Sequence, residues 1–367
     1  MKKYLIILLV VFLAFGFIGC KKKAEETDLS ETTGTEQVQT SSETATEATA
    51  TNLPATEISA PTVTETEPTE TEPPLPGGDV ELLFPDRYPI AAMINNKAAA
   101  RPQSGLSKAK LIYQMMTEAR TTRLLMLIDA TEGVIGPVRS ARPAYLDLVA
   151  QHRAFYVHAG NYKVIEASPV KNNIRSLDAL HGHYGMYYRT EHRKSPHNLY
   201  TTMEAAYKRA GKIYGDIAPS EPVRGLYVRS EFLLPAGGET ATKIKYQFSK
   251  TKEAFTYDAK SQTYRKYNDG KVLVDEQTKK DLKVANIIVL HRPHDLMPNG
   301  VHNKINWIDK GEATYLTGGK KYTITWSKAS HTDPIIYYLE GEELVLNPGL
   351  TWIIVVDGRA LKTVSYE

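Results

Sequence analysis

Two arginines three residues apart could together hold an anion. Arg139 and Arg142 lie in the string Gly-Pro-Val-Arg-Ser-Ala-Arg at 136–142, at the predicted start of a helix. Free backbone N–H groups, the positive end of the helix dipole and guanidinium forks would converge there on a carboxylate or phosphate. The alternative is a structural ion pair of these arginines with Glu118 or Asp129, because ion-pair networks imitate binding sites.

Other polar side chains extend this hypothesis of an anion site. The predicted ligand-binding residues all carry a hydrogen-bonding or positively charged side chain, and they are Arg101, Gln103, Arg123, Arg139, Ser140, Arg142, His158, Arg189, His197 and Asn198. No Gly-x-x-x-x-Gly-Lys string is present, so the site is not expected to be a nucleotide phosphate loop.

Six of the ten histidines lie between residues 152 and 197. His197 could be a general base or an anion ligand, and Asn198 could hold a ligand carbonyl. The alternative is that both cap the helix that follows. His181 and His183 could reach one metal ion, but a zinc site usually needs a third ligand. Neither a metal nor a cofactor is therefore predicted.

No nucleophile is evident. The sequence has no Gly-x-Ser-x-Gly string, and Ser140 lies between two arginines without an identified base. Glycosidic cleavage would need two carboxylates about 5–10 Å apart, which sequence alone does not pair. Enzymatic activity is left open, and the candidate catalytic residues are His197, His158 and Glu118.

Short apolar runs and helical periodicity alternate in the part of the chain that carries these residues. Buried strands are predicted at 90–94, 111–116, 123–128 and 155–160. Helices are predicted at 144–150 and 201–212, the second with Thr201 or Thr202 as N-cap.

From about residue 242 the sequence becomes a series of short β-rich runs separated by turn signals. These runs are 243–248, 254–257, 264–267, 271–274, 285–290, 313–316, 322–326, 335–339 and 351–356. The predicted fold class is α+β: an N-terminal mixed α/β part is followed by a largely antiparallel β C-terminal part and preceded by a disordered linker. The predicted boundaries are 1–20 (lipoprotein signal peptide), 21–78 (linker), 79–235 (N-terminal α/β domain) and 236–367 (C-terminal β-rich domain).

The first twenty residues indicate an exported, lipid-anchored protein. Two lysines precede an apolar run of about fifteen residues, which is short for a spanning helix and typical of a secretory signal. The run ends in Phe17-Ile18-Gly19-Cys20, which resembles a bacterial lipobox. Cys20 is the single cysteine, so no disulfide can form within the chain, and its place at the end of the apolar run leads us to expect lipid on it. The predicted location is the extracytoplasmic face of the cell membrane.

The net charge has opposite signs in two parts of the chain. In residues 21–78, three lysines oppose eleven glutamates and one aspartate, which gives −9, whereas residues 79–367 carry 40 basic and 30 acidic side chains, which gives +10. The predicted partners are the membrane, through lipid on Cys20, and an anionic cell-wall polymer or peptidoglycan. Nucleic acid is not expected, because the basic and tyrosine residues form no known module and the compartment is wrong. No protein partner is specified.

Several strings resemble the YerB-like lipoprotein family of Gram-positive bacteria, a two-part domain of unknown function. They are 92–96, 101–106, 136–142, 195–200, 285–289, 311–313, 325–326 and 347–352, and the resemblance covers nearly all of 84–360. It implies a membrane-anchored α+β protein and brings no established activity.

Three functions remain open from the sequence. The first is an anchored binding module for an anionic cell-envelope ligand. The second is a hydrolase or transferase acting on cell-wall polymers, with His197 or His158 as acid/base and Glu118 or Ser140 assisting. The third is a non-catalytic docking lipoprotein whose β-rich part is the interface, with the three tryptophans in the core: Trp307, Trp326 and Trp352.

Overall fold

Strands dominate the architecture of residues 79–220 and 223–367, which the computed structural model describes. The strands are β1 (Val80–Leu82), β2 (Ile90–Asn95), β3 (Leu111–Glu118), β4 (Thr121–Ile128), β5 (Val134–Ile135), β6 (Phe155–His158), β7 (Arg175–Asp178), β8 (Tyr187–Arg189), β9 (Leu199–Thr202), β10 (Tyr227–Arg229), β11 (Glu239–Thr240), β12 (Lys243–Tyr246), β13 (Glu253–Asp258), β14 (Thr263–Asn268), β15 (Lys271–Val272), β16 (Lys283–Val284), β17 (Asn286–His291), β18 (Asp295–Leu296), β19 (Asn303–Lys304), β20 (Asp309–Thr317), β21 (Lys320–Lys328), β22 (Ile336–Leu339), β23 (Glu342–Glu343), β24 (Val345–Leu346), β25 (Thr351–Val356) and β26 (Ser365–Tyr366).

The helices are short. The α-helices are α1 (Leu146–Gln151), α2 (Lys163–Glu166), α3 (Met203–Tyr214) and α4 (Gly358–Leu361), and 3-10 turns lie at Ala98–Ala100, Leu106–Lys108, Pro143–Tyr145, Lys171–Asn173 and Tyr184–Met186. Within the described ranges, no helix is both long and apolar enough to cross a membrane.

A twelve-stranded sheet forms the centre of the fold. Its path is β23-β22-β21-β20-β17-β25-β3-β4-β2-β6-β7, and β11 joins at β21. Strands β2, β3, β4 and β25 are buried on both faces, which explains why they read as continuous apolar runs. Alternate residues serve two cores: Met93 packs on the α1 side, whereas Ile94 packs against α3 and the smaller C-terminal sheet.

The C-terminal part adds a six-stranded sheet of antiparallel pairs, with the path β15-β14-β13-β12-β26 and β16 pairing with β14. Every run predicted as a strand contains a strand, so the predicted mixed α/β and largely antiparallel β parts are confirmed. The three tryptophans are buried, as predicted.

Helix α3 starts later than the pattern predicted. The Thr202 side chain accepts a hydrogen bond from the backbone N–H of Ala205 at 3.1 Å and is the N-cap. The capping role considered for Asn198 was therefore wrong. Its side-chain amide instead donates to the carbonyl of Thr190 at 3.0 Å.

The two predicted parts share the central sheet, because β25 pairs in parallel with β3 on one side and with β17 on the other. All described residues belong to one compact unit, Thr71–Glu367. The boundary at 235/236 stays a prediction. The signal peptide, Cys20 and the linker lie outside the described residues.

Candidate functional site

Strand direction gathers the polar candidates at one edge of the central sheet. The pairings give β2, β3, β6, β7, β17 and β25 the same direction, so their carboxyl ends meet at that edge. The last residues of four of these strands are Asn95, Glu118, His158 and Asp178. Open α/β sheets bind ligands at this edge, where neighbouring strands leave a crevice. We call it the carboxyl edge.

The segment 136–142 is held between the ends of β2 and β6. The Arg139 N–H donates to the carbonyl of Met93 on β2 at 2.8 Å, and the Arg139 carbonyl accepts from the N–H of Ala159 at 3.0 Å. The Asn95 N–H donates to the carbonyl of Pro137 at 3.0 Å. These backbone bonds fix the arginine string on the carboxyl edge.

Glu118 lies between two guanidinium groups. Arg142 donates to both carboxylate oxygens, at 2.6 and 3.0 Å, and Arg123 donates to Oε1 at 3.0 Å and to the carbonyl of Ser140. Burial alone would raise the pKa of Glu118, but the bond from Arg142 and the charge of Arg123 outweigh it and hold the pKa at about 2. Burial, aided by Arg142, lowers the pKa of Arg123 to about 10. The ion pair with Glu118 considered from the sequence is present, whereas Asp129 pairs with Lys110 at 2.7 Å.

Three further predicted arginines have only neutral partners among the described residues. Arg101 donates to the side chain and carbonyl of Asn96, at 3.3 and 2.7 Å. Arg189 donates to Oδ1 of Asn198 at 2.8 Å, and Arg139 reaches only the carbonyl of Pro196, at 3.5 Å. Burial and the charge of Arg142 lower the pKa of Arg139. The carboxyl edge therefore carries positive charge that no carboxylate neutralises.

His197 and Gln103 complete the polar lining around Asn95. The His197 Nδ1 and the Asn95 side-chain amide are 2.7 Å apart. Burial, followed by the charges of Arg139 and Lys97, lowers the pKa of His197. The Gln103 amide donates to the carbonyl of Asn95 at 3.0 Å, while its buried Oε1 has no hydrogen-bond partner within residues 79–220 and 223–367. Asn95 thus joins the two predicted residues at one point.

His158 lies on the same edge, and its hydrogen-bond partners belong to a different group of residues. Its Nε2 is 2.7 Å from the Ser176 Oγ and its Nδ1 is 3.3 Å from the carbonyl of Gly160. His181 bonds to Asp178 at 2.6 Å, and Arg209 donates to the Nδ1 of His183 at 3.2 Å, so these two histidines have separate partners. Across residues 79–220 and 223–367, no group of three metal-ligating side chains is assembled.

The sequence analysis missed three residues near the site. Ser176 lies on β7 against His158. Glu276 comes from a distant turn and bonds to Ser104, Tyr200, His192 and Arg193. His302 lies between β18 and β19, and its pKa is lowered by burial and then by Arg142. A Pro-Asn-Gly turn at 298–300 was the available hint of that hairpin.

A cavity of about 480 Å³ lies on the six-stranded sheet, lined by Lys243, Lys245, Lys252, Tyr246 and Tyr267 among others. None of the predicted ligand-binding residues lines it. Two of its lysines pair with Glu367, Lys243 at 3.7 Å and Lys245 by a close contact. The unneutralised arginines make the carboxyl edge the stronger candidate for an anion.

Comparisons with known proteins match two family models. Residues 79–214 match "Protein of unknown function (DUF3048) N-terminal domain" and residues 243–353 match the corresponding C-terminal domain. The protein named "Putative lipoprotein YerB" of Bacillus subtilis (strain 168) is 26% identical over 299 residues, which cover 80% of this chain and 88% of that protein. The crystal structure of YerB from Bacillus subtilis superposes with a TM-score of 0.67 at 24% identity, covering 78% of this chain and 96% of that one. At that identity the likeness establishes the fold alone.

Proposed function

This chain belongs to the DUF3048 family, whose function is unknown, and on that premise we propose that it is a lipid-anchored protein that binds an anionic cell-envelope group at its carboxyl edge. The anchor would be acyl chains on Cys20, outside the cytoplasmic membrane. The lipobox-like string and the likeness to a protein named as a lipoprotein support this part of the proposal. Two or more acyl chains anchor a protein stably in a membrane, whereas a single chain does not.

One observation carries the binding proposal. Among the described residues, Arg101 and Arg139, which are partly buried, and the exposed Arg189 hydrogen-bond to neutral oxygens only. A partly buried cation without a counter-charge is costly, and a bound carboxylate or phosphate would remove that cost. Arg123 and Arg142 already share Glu118 and would position the segment rather than bind.

The linker fits an anchored binding module. Its 58 residues separate Cys20 from the domain, and their composition, rich in threonine, glutamate and proline, is typical of a tether. The domain, with its net charge of +10, could then reach polymers of the cell wall. The acidic linker would not itself bind the anionic membrane surface.

The test is co-sedimentation of the full chain with purified cell walls, across a salt series, with and without teichoic acid. We expect binding that weakens with salt. The double variant Arg101→Gln plus Arg139→Gln should bind at least about tenfold more weakly, because a charge-assisted hydrogen bond contributes about 1.5–3 kcal/mol.

The matched control is Arg153→Gln plus Lys108→Gln, which removes the same charge from two exposed positions just before the amino ends of β6 and β3, at the opposite edge of the central sheet. It should bind like the unaltered chain. Equal weakening in both double variants would mean that only net charge matters and would overturn the site. Absence of binding under every condition would instead favour the docking lipoprotein.

A further inference from the structure

Ser176 and His158 form a hydrogen-bonded pair between the two outermost parallel strands. The Ser176 Oγ lies 2.7 Å from the Nε2 of His158. The register aligns His158 with Asp178, and Ser176 lies two residues earlier on the same face of β7. The imidazole is fully buried, whereas Ser176 is partly exposed. Solvent and solutes therefore approach the pair from the serine side.

The other imidazole nitrogen fixes the direction of the hydrogen bond. The Nδ1 lies 3.3 Å from the carbonyl oxygen of Gly160, which can only accept, so Nδ1 carries the hydrogen of the neutral ring. Nε2 then has the free lone pair, and the Ser176 hydroxyl donates to it. Burial lowers the pKa of His158 to about 4, so the ring is neutral at physiological pH.

Asp178 supports this arrangement from the side of Nδ1. Its Oδ1 lies 3.9 Å from the His158 Nδ1 and accepts from the N–H groups of Gly160 and Leu180, at 2.5 and 2.9 Å. Gly160 has φ +82°, and a Cβ there would lie 2.7 Å from the Leu180 side chain. The turn that brings its carbonyl to His158 therefore requires glycine.

We propose that Ser176 is a nucleophile, that His158 is its general base and that the pair cleaves carboxylic esters. The Ser176 oxygen would form a bond to the ester carbonyl carbon while Nε2 of His158 takes the hydroxyl proton. The ester C–O bond then breaks, and the proton passes to the departing alkoxide. Water, deprotonated by the same nitrogen, releases the acid and restores the serine. The carboxylate of Asp178 faces the cation that forms on His158.

The surroundings indicate the kind of ester. Tyr162 and Leu180 are 37% and 61% exposed. The Tyr162 ring lies 4.4 Å from that of His181, beside Asp178, and the Leu180 side chain lies against Gly160. They offer apolar surface beside the pair, which suits an ester with an apolar acyl or alcohol group. The inference uses none of the arginines, so it is independent of the anion-binding proposal.

The test is covalent labelling of the full chain with a fluorophosphonate, followed by peptide mass spectrometry. We expect one adduct, on Ser176, and none in Ser176→Ala. The matched control is Ser168→Ala. Ser168 is also partly buried, but it accepts from the N–H of Val170 and has no imidazole partner among the described residues. That variant should be labelled like the unaltered chain.

The histidine is tested by rate and by pH. His158→Gln should be labelled at least about a hundredfold more slowly, in line with the contribution of a general base. The unaltered chain should react at a constant rate between pH 6 and 8, because His158 is already neutral there, whereas a histidine of ordinary pKa would give a midpoint near 6.5. This profile still tests the proposal if His158→Gln fails to fold. No adduct on Ser176, adducts spread over many serines, or a midpoint near 6.5 would each overturn the inference.

Discussion

Two glutamates in this molecule each collect several donors, but the charges around them differ. Glu276 accepts from Ser104 at 2.6 Å and Tyr200 at 3.0 Å, and it meets one guanidinium, that of Arg193, at 2.8 Å. Glu118 is shared by two guanidinium groups, with the half-buried Arg139 close by. The first group of side chains is neutral in sum, and the second keeps a positive excess.

The difference separates a structural contact from a binding surface. Glu276 and its neighbour Asp275 belong to the C-terminal part and bond to the segment around Ser104 in the N-terminal part. Ser104, Tyr200 and Arg193 all have Glu276 as an acceptor there. At the carboxyl edge, there are more arginines than carboxylates that pair with them. A similar residue composition therefore serves stability in one place and recognition in the other.

The largest effect should come from removing the balanced carboxylate. Glu276→Ala leaves the hydroxyls of Ser104 and Tyr200 without their acceptor. The buried guanidinium of Arg193 keeps two backbone carbonyls but loses its counter-charge. Breaking a buried ion pair from one side costs about 3–5 kcal/mol. We expect that loss in the free energy of unfolding, measured by urea titration at pH 7.

The control for this comparison is Glu342→Ala, an exposed glutamate on β23. Its free energy of unfolding should stay within about 0.5 kcal/mol of the unaltered chain. If Glu276→Ala were equally mild, the contact between the two parts would not contribute to stability, and the distinction drawn between the two glutamates would be lost.

The sequence predicted the strands because their apolar runs are local signals, and it placed Arg139 and Arg142 at the start of a helix for the same reason. It left open whether they pair with Glu118, because that depends on how β3 and β4 meet the segment 136–142. Glu276 could not be found, since 172 positions separate it from Ser104. Ser176 could not be found either, because no motif accompanies it and its partner comes from another strand.

Acid should weaken the cluster around Glu118 in a defined pH window. The pKa of Glu118 is lowered from 4.5 to about 2, chiefly because Arg142 and Arg123 outweigh the effect of burial. A lowered pKa contributes stability above pH 4.5 that is lost as the pH falls toward 2. The Glu118 side chain is 24% exposed, and this lowering of its pKa corresponds to about 3 kcal/mol in the free energy of unfolding. Urea titrations from pH 7 to pH 2 measure it.

Glu118→Gln isolates this contribution from those of other acids such as Asp357, whose pKa is also held at about 2. At pH 7 the variant should be about 3 kcal/mol less stable than the unaltered chain, and near pH 2 the two should converge. The same variant adds net positive charge to the carboxyl edge and should bind cell walls more tightly at low salt. Parallel pH curves for the two proteins would contradict the ion-pair account.

The smallest expected effect tests whether the two clusters are independent. A Cβ on Gly136 would lie 2.4 Å from the ring of Tyr200, the same tyrosine that donates to Glu276. Gly136→Ala must therefore displace either the arginine segment or the tyrosine, and overpacking of this kind costs about 2 kcal/mol. Gly185→Ala, where a Cβ meets nothing within 4 Å, is the control. If Gly136→Ala lowers stability and leaves cell-wall binding unchanged, Tyr200 moves and the arginines stay. If both fall together, the ring couples the structural contact to the binding edge.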